Sequence, residues 1–180
     1  IHVVAFNLLP LIENLDRKNY TIHLFSDVPA PDAITNKFES LCDHWYDIKS
    51  LSDYDAAKKI SSSGIDILLF LAGRFDNNRP EIASYRAAPI QVSFHDCATT
   101  GLQEMDYWLT DNLLNPENTK ELFTEKLYRL PCFYQFDNSQ NLPELTAPPS
   151  QKCNSITFGS LNKPEKLNSS VLELWARILQ

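Results

Sequence analysis

No apolar run in this sequence approaches the roughly 20 residues a helix needs to cross a membrane. Clustered positive charge is missing too: the 16 Lys and Arg are scattered and the net charge is −7, which argues against a nucleic-acid surface. Cys42, Cys97, Cys132 and Cys153 lie far apart with no C-x-x-C pair among them. Neither a zinc ribbon nor a secreted disulfide scaffold is indicated, and reduced thiols in a cytoplasm are the expectation. The 4 glycines form no glycine-rich phosphate loop, and no internal repeat or low-complexity run occurs. Neither an initiator Met nor a basic signal region precedes Ile1, which stands inside an apolar helical pattern, so the sequence reads as a piece of something longer.

What remains is the composition of a soluble globular protein, 43% apolar and 22% charged over 180 residues. That length fits one domain and a fragment of a second.

Hydrophobic periodicity supplies the organisation. Ile1, Val4, Ala5, Leu8, Leu9, Ile12 and Leu15 recur at helical spacing, with Pro10 expected to bend or interrupt the helix. "YTIHLFSD" reads as a strand, Ile34, Phe38 and Leu41 share a helical face, and "HWYDIK" is a short extended piece. "LSDYDAAKKISSSG" is a helix with Ser52 as N-cap, closed by Gly64. "IDILLFLAG" is a continuous apolar run, the pattern of a central parallel strand covered on both faces. "RPEIASYR" opens a helix at Pro80, and "PIQVSF", "MDYWLTD" and "EKLYRLP" are further strands. Strands alternating with helices predict an α/β, Rossmann-like doubly wound parallel sheet, with ligands at the carboxyl ends of the strands.

From about Asp137 to Asn154 the text becomes rich in Pro, Asn, Ser and Gln, which reads as an interdomain linker. "SITFGS" then predicts a new strand, and Ser170 with Glu173 a capping box for a helix presenting Leu172, Trp175, Ala176 and Leu179. The expected domains are therefore a lobe over 1–136, a linker over 137–154 and the beginning of a second lobe over 155–180.

Lys166 falls in the loop before that last helix, where amide N–H groups and the helix dipole favour an anion. Spacing alone favours a solvated loop lysine, because no glycine-rich phosphate loop stands beside it. Asp53 and Asp55 form a D-x-D that could hold a divalent metal, but at a helix start they read as first-turn acids complementing the dipole. His23 and His44 read as structural, and Cys42 with His44 lacks two further zinc ligands nearby. "SFHDCATTG" follows a strand, which puts His95, Asp96, Thr99 and Thr100 at the expected crevice. A polar loop accounts for them as readily as a functional one.

Taken in order, "HVVAFNLLPLIENLDR", "LFSDVPAPDAIT", "DHWYDIKSLSD", "GIDILLFLAG", "NRPEIASYRAAPIQVSF", "MDYWLTD", "TEKLYRLP" and "ITFGSLNKPEKLNSSVLELWARIL" resemble the catalytic region of the O-linked N-acetylglucosamine transferase family, glycosyltransferase family 41, including bacterial members that follow tetratricopeptide repeats. The resemblance covers nearly the whole chain. It implies the N-terminal lobe of a two-lobed GT-B glycosyltransferase plus the first strand and helix of the donor lobe. It further implies a UDP-N-acetylglucosamine donor used without a metal or other cofactor, acceptor proteins as partners, and a missing C-terminal lobe. By the same resemblance Lys166 contacts the donor diphosphate, Asn162 and Lys163 lie in its loop, and His2 is the general-base candidate. Two departures stand out: His95-Asp96-Cys97-Ala98-Thr99 replaces the family's Gly-Tyr-Pro-Gly-Thr, and Gly73-Arg74-Phe75 replaces Gly-His-Thr. The changed loops leave a catalytically silent protein-binding relative as the alternative.

Overall fold

Pro10 lies inside the first helix without ending it: α1 runs over Val3–Asn14. The Asn14 side-chain amide donates to the Pro10 carbonyl at 2.8 Å, so the turn past the proline is held. A mid-helix proline costs about 3 kcal/mol, whereas burying each Leu-sized side chain contributes about 1.5–3 kcal/mol. Val4, Leu8, Leu9 and Ile12 are all buried, and their burial outweighs the defect. The expected interruption is thereby corrected.

The computed structural model describes residues 3–73, 78–134 and 143–179. It divides into two units, Ile1–Gln140 and Asn141–Gln180. In the first unit α1 is followed by β1 (His23–Ser26), α2 (Ala33–Leu41), β2 (His44–Asp47), α3 (Asp53–Ser62) and β3 (Ile67–Leu71). A 3-10 helix over Pro80–Tyr85 then leads to β4 (Ile90–Phe94), β5 (Tyr107–Asp111) and β6 (Lys126–Leu130). Helix ends follow local chemistry. Asp32 caps α2 in a reciprocal box with Thr35, Ser52 Oγ accepts the Asp55 amide at 3.1 Å to start α3, and Gly64 leaves α3 at φ +68°.

All strand pairs are parallel, but the pairing forms two sheets rather than one: β1–β2, and β3–β4–β5–β6 in that order. Helices cover both faces. One cluster joins α1 and α2 (Leu8, Leu9, Ile12, Phe38) to Phe94 and Phe133. The other joins α3 and the 3-10 helix (Ala56, Ala57, Ile60, Ile82) to Ile48 and Ala87. The α/β, doubly wound class is as the sequence predicts. The apolar run at β3, expected as a central strand, is instead an edge of the four-stranded sheet, and Leu69 is 38% exposed.

The "R-x-APIQV" stretch proves architectural. Gln91, fully buried, donates to the carbonyls of Ala83 and Glu104 at 2.9 and 2.8 Å and accepts the Ala87 amide at 3.1 Å. Arg86, left-handed at φ +52°, closes the 3-10 helix and donates to the Glu104 and Pro89 carbonyls and to Asp106.

In the second unit α4 (Ser150–Cys153) is a single turn within the stretch read as linker. Residues 155–160, expected as a strand, form none, because an extended segment becomes one only by pairing, and Ile156 and Phe158 stay exposed. A 3-10 turn over Pro164–Lys166 precedes α5 (Ser169–Ile178). Asn168, two residues earlier than the predicted Ser170, is the cap: its side chain accepts the Val171 amide at 3.0 Å. Trp175 and Leu179 are exposed.

Candidate functional site

Strand β4 ends at Phe94, and the next residue turns abruptly: His95 has φ +61°, a left-handed conformation that L-residues with a Cβ adopt at a cost of about 1–2 kcal/mol. Its ring offsets this by packing on Phe94 and Phe133, with centroids 4.1 and 4.7 Å apart. Burial lowers the His95 pKa from its usual value, so the neutral imidazole is favoured. Among the described residues, His95 Nε2, Asp96 Oδ2 and Ser93 Oγ are buried polar atoms without a hydrogen-bond partner. Three buried polar atoms within four residues at the carboxyl end of β4 are thus left without partners, although buried polar groups are normally hydrogen-bonded, and strand ends of this kind are where such folds bind ligands.

The neighbouring strand end approaches Asp96 closely. Ala72, at φ +58°, donates its amide to the Phe94 carbonyl at 2.8 Å, and Gly73 follows at φ +44°. A Cβ on Gly73 would lie 1.6 Å from Asp96 Oδ2, so only glycine admits the aspartate there. Asp96 Oδ1 accepts the Cys97 amide at 2.7 Å, which orients the carboxylate.

The rest of the loop is pinned by Glu125, 5% exposed at the start of β6. Its Oε2 accepts from the Thr99 hydroxyl at 2.7 Å, and its Oε1 accepts the Thr100 amide at 2.7 Å as well as the Thr100 hydroxyl. Burial pushes the Glu125 carboxyl up, but the hydrogen bonds from Thr100 and Thr99 prevail and hold it below its usual range. Asp111, at the carboxyl end of β5, accepts the amides of Leu113, Leu114 and Phe133 at 3.0, 2.9 and 2.9 Å. The Leu114 and Phe133 amides, with help from Leu113, keep its pKa low despite burial.

The structure thus brings His95, Asp96, Thr99 and Thr100 into one loop, but gives the threonines a structural partner and leaves unsatisfied groups on His95 and Asp96. Glu125 and Asp111 were missed by sequence reading. Each is a lone acid beside a strand, and only its distant partners, 25 and 22 residues away, reveal it. Arg79 was missed likewise: it donates to Asp53 Oδ1 at 2.6 Å and to the Ile48 and Leu51 carbonyls at 3.1 and 2.8 Å. The D-x-D therefore has other work, since Asp53 holds Arg79 and Asp55 accepts from the Ser52 hydroxyl at 2.6 Å.

His2, Arg74 and Phe75 lie outside the described residues. In the second unit Lys163, Lys166 and Asn162 are exposed. Lys166 closes the 3-10 turn, its amide donating to the Lys163 carbonyl at 3.0 Å, and neither ammonium group makes an ion pair among the described residues. Asn162 contacts Ser160 Oγ through its amide N–H and its side chain at 3.4 and 3.5 Å.

Comparison with known proteins gives consistent matches. Residues 7–153 match the model of "Glycosyl transferase family 41". The chain is 36% identical over 170 residues to the "Probable UDP-N-acetylglucosamine--peptide N-acetylglucosaminyltransferase SPINDLY" of Eustoma exaltatum subsp. russellianum, covering 91% of this chain and 18% of that protein. It is 33% identical over 184 residues to the protein of the same name from Arabidopsis thaliana, covering 99% of this chain and 20% of that one. A solved structure of a point mutant of the Thermobaculum terrenum O-GlcNAc transferase superposes with a TM-score of 0.87 at 33% identity, over 99% of this chain and 34% of that one. The chain spans about a fifth of the length of these curated relatives.

Proposed function

Since the chain belongs to glycosyl transferase family 41, we propose that it is part of a protein O-glycosyltransferase moving N-acetylglucosamine or a related sugar from a UDP-sugar to Ser or Thr of acceptor proteins. One observation carries this reading: likeness to the Thermobaculum terrenum O-GlcNAc transferase in both fold and sequence, covering 99% of the chain. Residues 1–136 are the N-terminal lobe, 137–154 a linker and 155–180 the start of the donor lobe.

In the reaction an acceptor hydroxyl oxygen bonds to the anomeric carbon, the bond from that carbon to the β-phosphate oxygen breaks, and UDP leaves with the negative charge. His2 takes the hydroxyl proton, imidazole being the side chain that most often serves as a general base. The Lys166 ammonium, with Asn162 and Lys163 in the same loop, stabilises charge growing on the diphosphate; removing one such contact typically costs about 3 kcal/mol of barrier. A lysine performs this role without a metal ion, and Lys163 and Lys166, exposed and without an ion pair among the described residues, are available for it. The unspent groups of Ser93, His95 and Asp96 contact the acceptor or the sugar, with Thr99 and Thr100 shaping the loop around them. The protein acts in the cytoplasm, downstream of tetratricopeptide repeats that gather acceptors, and residues 1–180 alone turn over no substrate.

Titration of UDP into the full-length protein, wild type against Lys166→Ala, tests this reading. Measurable affinity lost by at least about tenfold in the variant supports it, and no UDP affinity in the wild type ends it. The replaced loop at His95–Ala98 favours one second reading, a catalytically silent relative that holds a protein partner; UDP binding without sugar transfer to any acceptor marks that case.

A further inference from the structure

The crevice loop after β4 is held by two unlike devices. Residues 99–101 are clamped by Glu125, whose carboxylate accepts the Thr99 hydroxyl and the Thr100 amide, each at 2.7 Å. Residues 95–98 have no such clamp: among the described residues their hydrogen bond is internal, from the Cys97 amide to Asp96 Oδ1 at 2.7 Å. What ties them to the first unit is packing, with the His95 ring on Phe94 and Phe133 and the Tyr134 ring 6.0 Å away. We propose that His95 is an acid-released latch: its neutral ring seats the first half of the loop, and protonation frees residues 95–98 while Glu125 keeps 99–101 in place.

The seat suits a neutral imidazole and not a cation. Phe94 and Phe133 belong to a cluster with Leu8, Leu9 and Ile12 of α1 and Phe38 of α2, so the helices behind the ring present apolar side chains to that cluster. The titratable neighbours are engaged elsewhere. In the loop itself Asp96 directs Oδ1 to the Cys97 amide and Oδ2 toward Gly73. At the end of β5, Asp111 spends both oxygens on the amides of Leu113, Leu114 and Phe133. Beyond β6, the Cys132 thiol donates to the Tyr134 carbonyl at 3.1 Å, and Tyr134 meets the imidazole as a tilted ring. His95 Nε2 is buried without a partner. An imidazolium carries a proton on each nitrogen, so a charged Nε2–H would stand where no acceptor waits, and attraction of the cation to the aromatic rings leaves that N–H unsatisfied.

Backbone geometry amplifies the change. His95 is held at φ +61°, a costly conformation for a residue with a Cβ, and the packing of its ring is what offsets that cost. Once the ring leaves, the backbone relaxes as well, so both effects favour release. The order of events follows from the two titrating groups. Burial lowers the His95 pKa, so the closed form loses favour as pH falls below the ordinary value of about 6.5. Burial raises the Glu125 carboxyl, but hydrogen bonds from Thr100 and Thr99 outweigh it and hold the group below its usual range, so the clamp survives into more acid conditions. Between the two lies a window in which half of the loop is free and half is fixed. The free half stands at the carboxyl end of β4, so a ligand recognised by the closed loop is released on acidification without unfolding of the sheet.

Histidine ring NMR and residue-resolved hydrogen exchange on the full-length protein test the latch. In the closed loop the His95 ring protons carry ring-current shifts from Phe94 and Phe133, which are expected to vanish between about pH 7.5 and about pH 5, with a midpoint below about 6.5. Over the same range the Cys97 amide is expected to lose protection by at least about tenfold while the Thr100 amide keeps its own. His95→Asn, which accepts the left-handed backbone but not a proton, is expected to make Cys97 protection independent of pH. Ring-current shifts that survive protonation, a midpoint at or above about 6.5, Cys97 and Thr100 losing protection together, or a pH response that persists in the variant overturns the proposal. Should His95→Asn fail to fold, the wild-type ring shifts and the two amides decide alone. These readouts need neither sugar nor acceptor, so the latch stands or falls separately from the transferase reading.

Discussion

Gly73 and Asp96 occupy adjoining strand ends so closely that a methyl group on the Gly73 Cα would lie 1.6 Å from Asp96 Oδ2. Gly73→Ala must therefore turn the Asp96 carboxylate away from the Cys97 amide while holding alanine at φ +44°. Overpacking and left-handed strain together lower stability by about 1–3 kcal/mol. Thermal unfolding checks it, and adding Asp96→Ala recovers the overpacking part but leaves the backbone strain.

Glu125 is the anchor of the crevice loop. Glu125→Ala strands the part-buried Thr100 amide and costs about 2–3 kcal/mol, whereas Thr100→Val costs about 1 kcal/mol because the amide bond to Glu125 survives. Unfolding midpoints in urea separate the two.

Arg79 gathers Asp53, Asp27 and two carbonyls with one guanidinium, its side chain 19% exposed. Arg79→Ala destabilises by about 2–3 kcal/mol, and Arg79→Lys recovers less than half of that, since an ammonium cannot span the same fork. The same unfolding measurement decides it.

Stability falls in two stages on acidification. Burial lowers the pKa of His95, and burial followed by the charge of His44 lowers that of His23. Below the ordinary value of about 6.5 the unfolded chain binds more protons than the folded one, so stability is complete above that pH and is lost as pH falls toward the folded values. Glu125 is held below its usual range, so its contribution persists above about 4.3 and disappears only as pH falls through its folded pKa. His95→Asn, which tolerates the left-handed backbone and does not titrate, reduces the first stage to the contribution of His23 and leaves the second; midpoints recorded from pH 8 to 3 check this.

Periodicity and punctuation were enough to locate the six strands and the helices among the described residues of the first unit, because the hydrophobic spacing that marks them is local. Ser52 and Gly64 mark the two ends of α3 by chemistry that acts within one turn. The second unit shows the limit of that reading. Residues 155–160 have the apolar alternation of a strand, and pairing, which no local pattern contains, is what they lack. At α5 two capping residues competed within three positions, and Asn168 prevailed over Ser170.

The sequence by itself determined the parallel α/β class, the order of its elements and the place of the His95–Thr100 loop at a strand end, since hydrophobic spacing and turn residues act over a few neighbours. Only tertiary structure decided that Glu125 pins that loop, that Gly73 makes room for Asp96, and that β3 is left with a bare edge. Those outcomes depend on groups far apart in the chain meeting at hydrogen-bond or van der Waals distance, which no local spacing encodes.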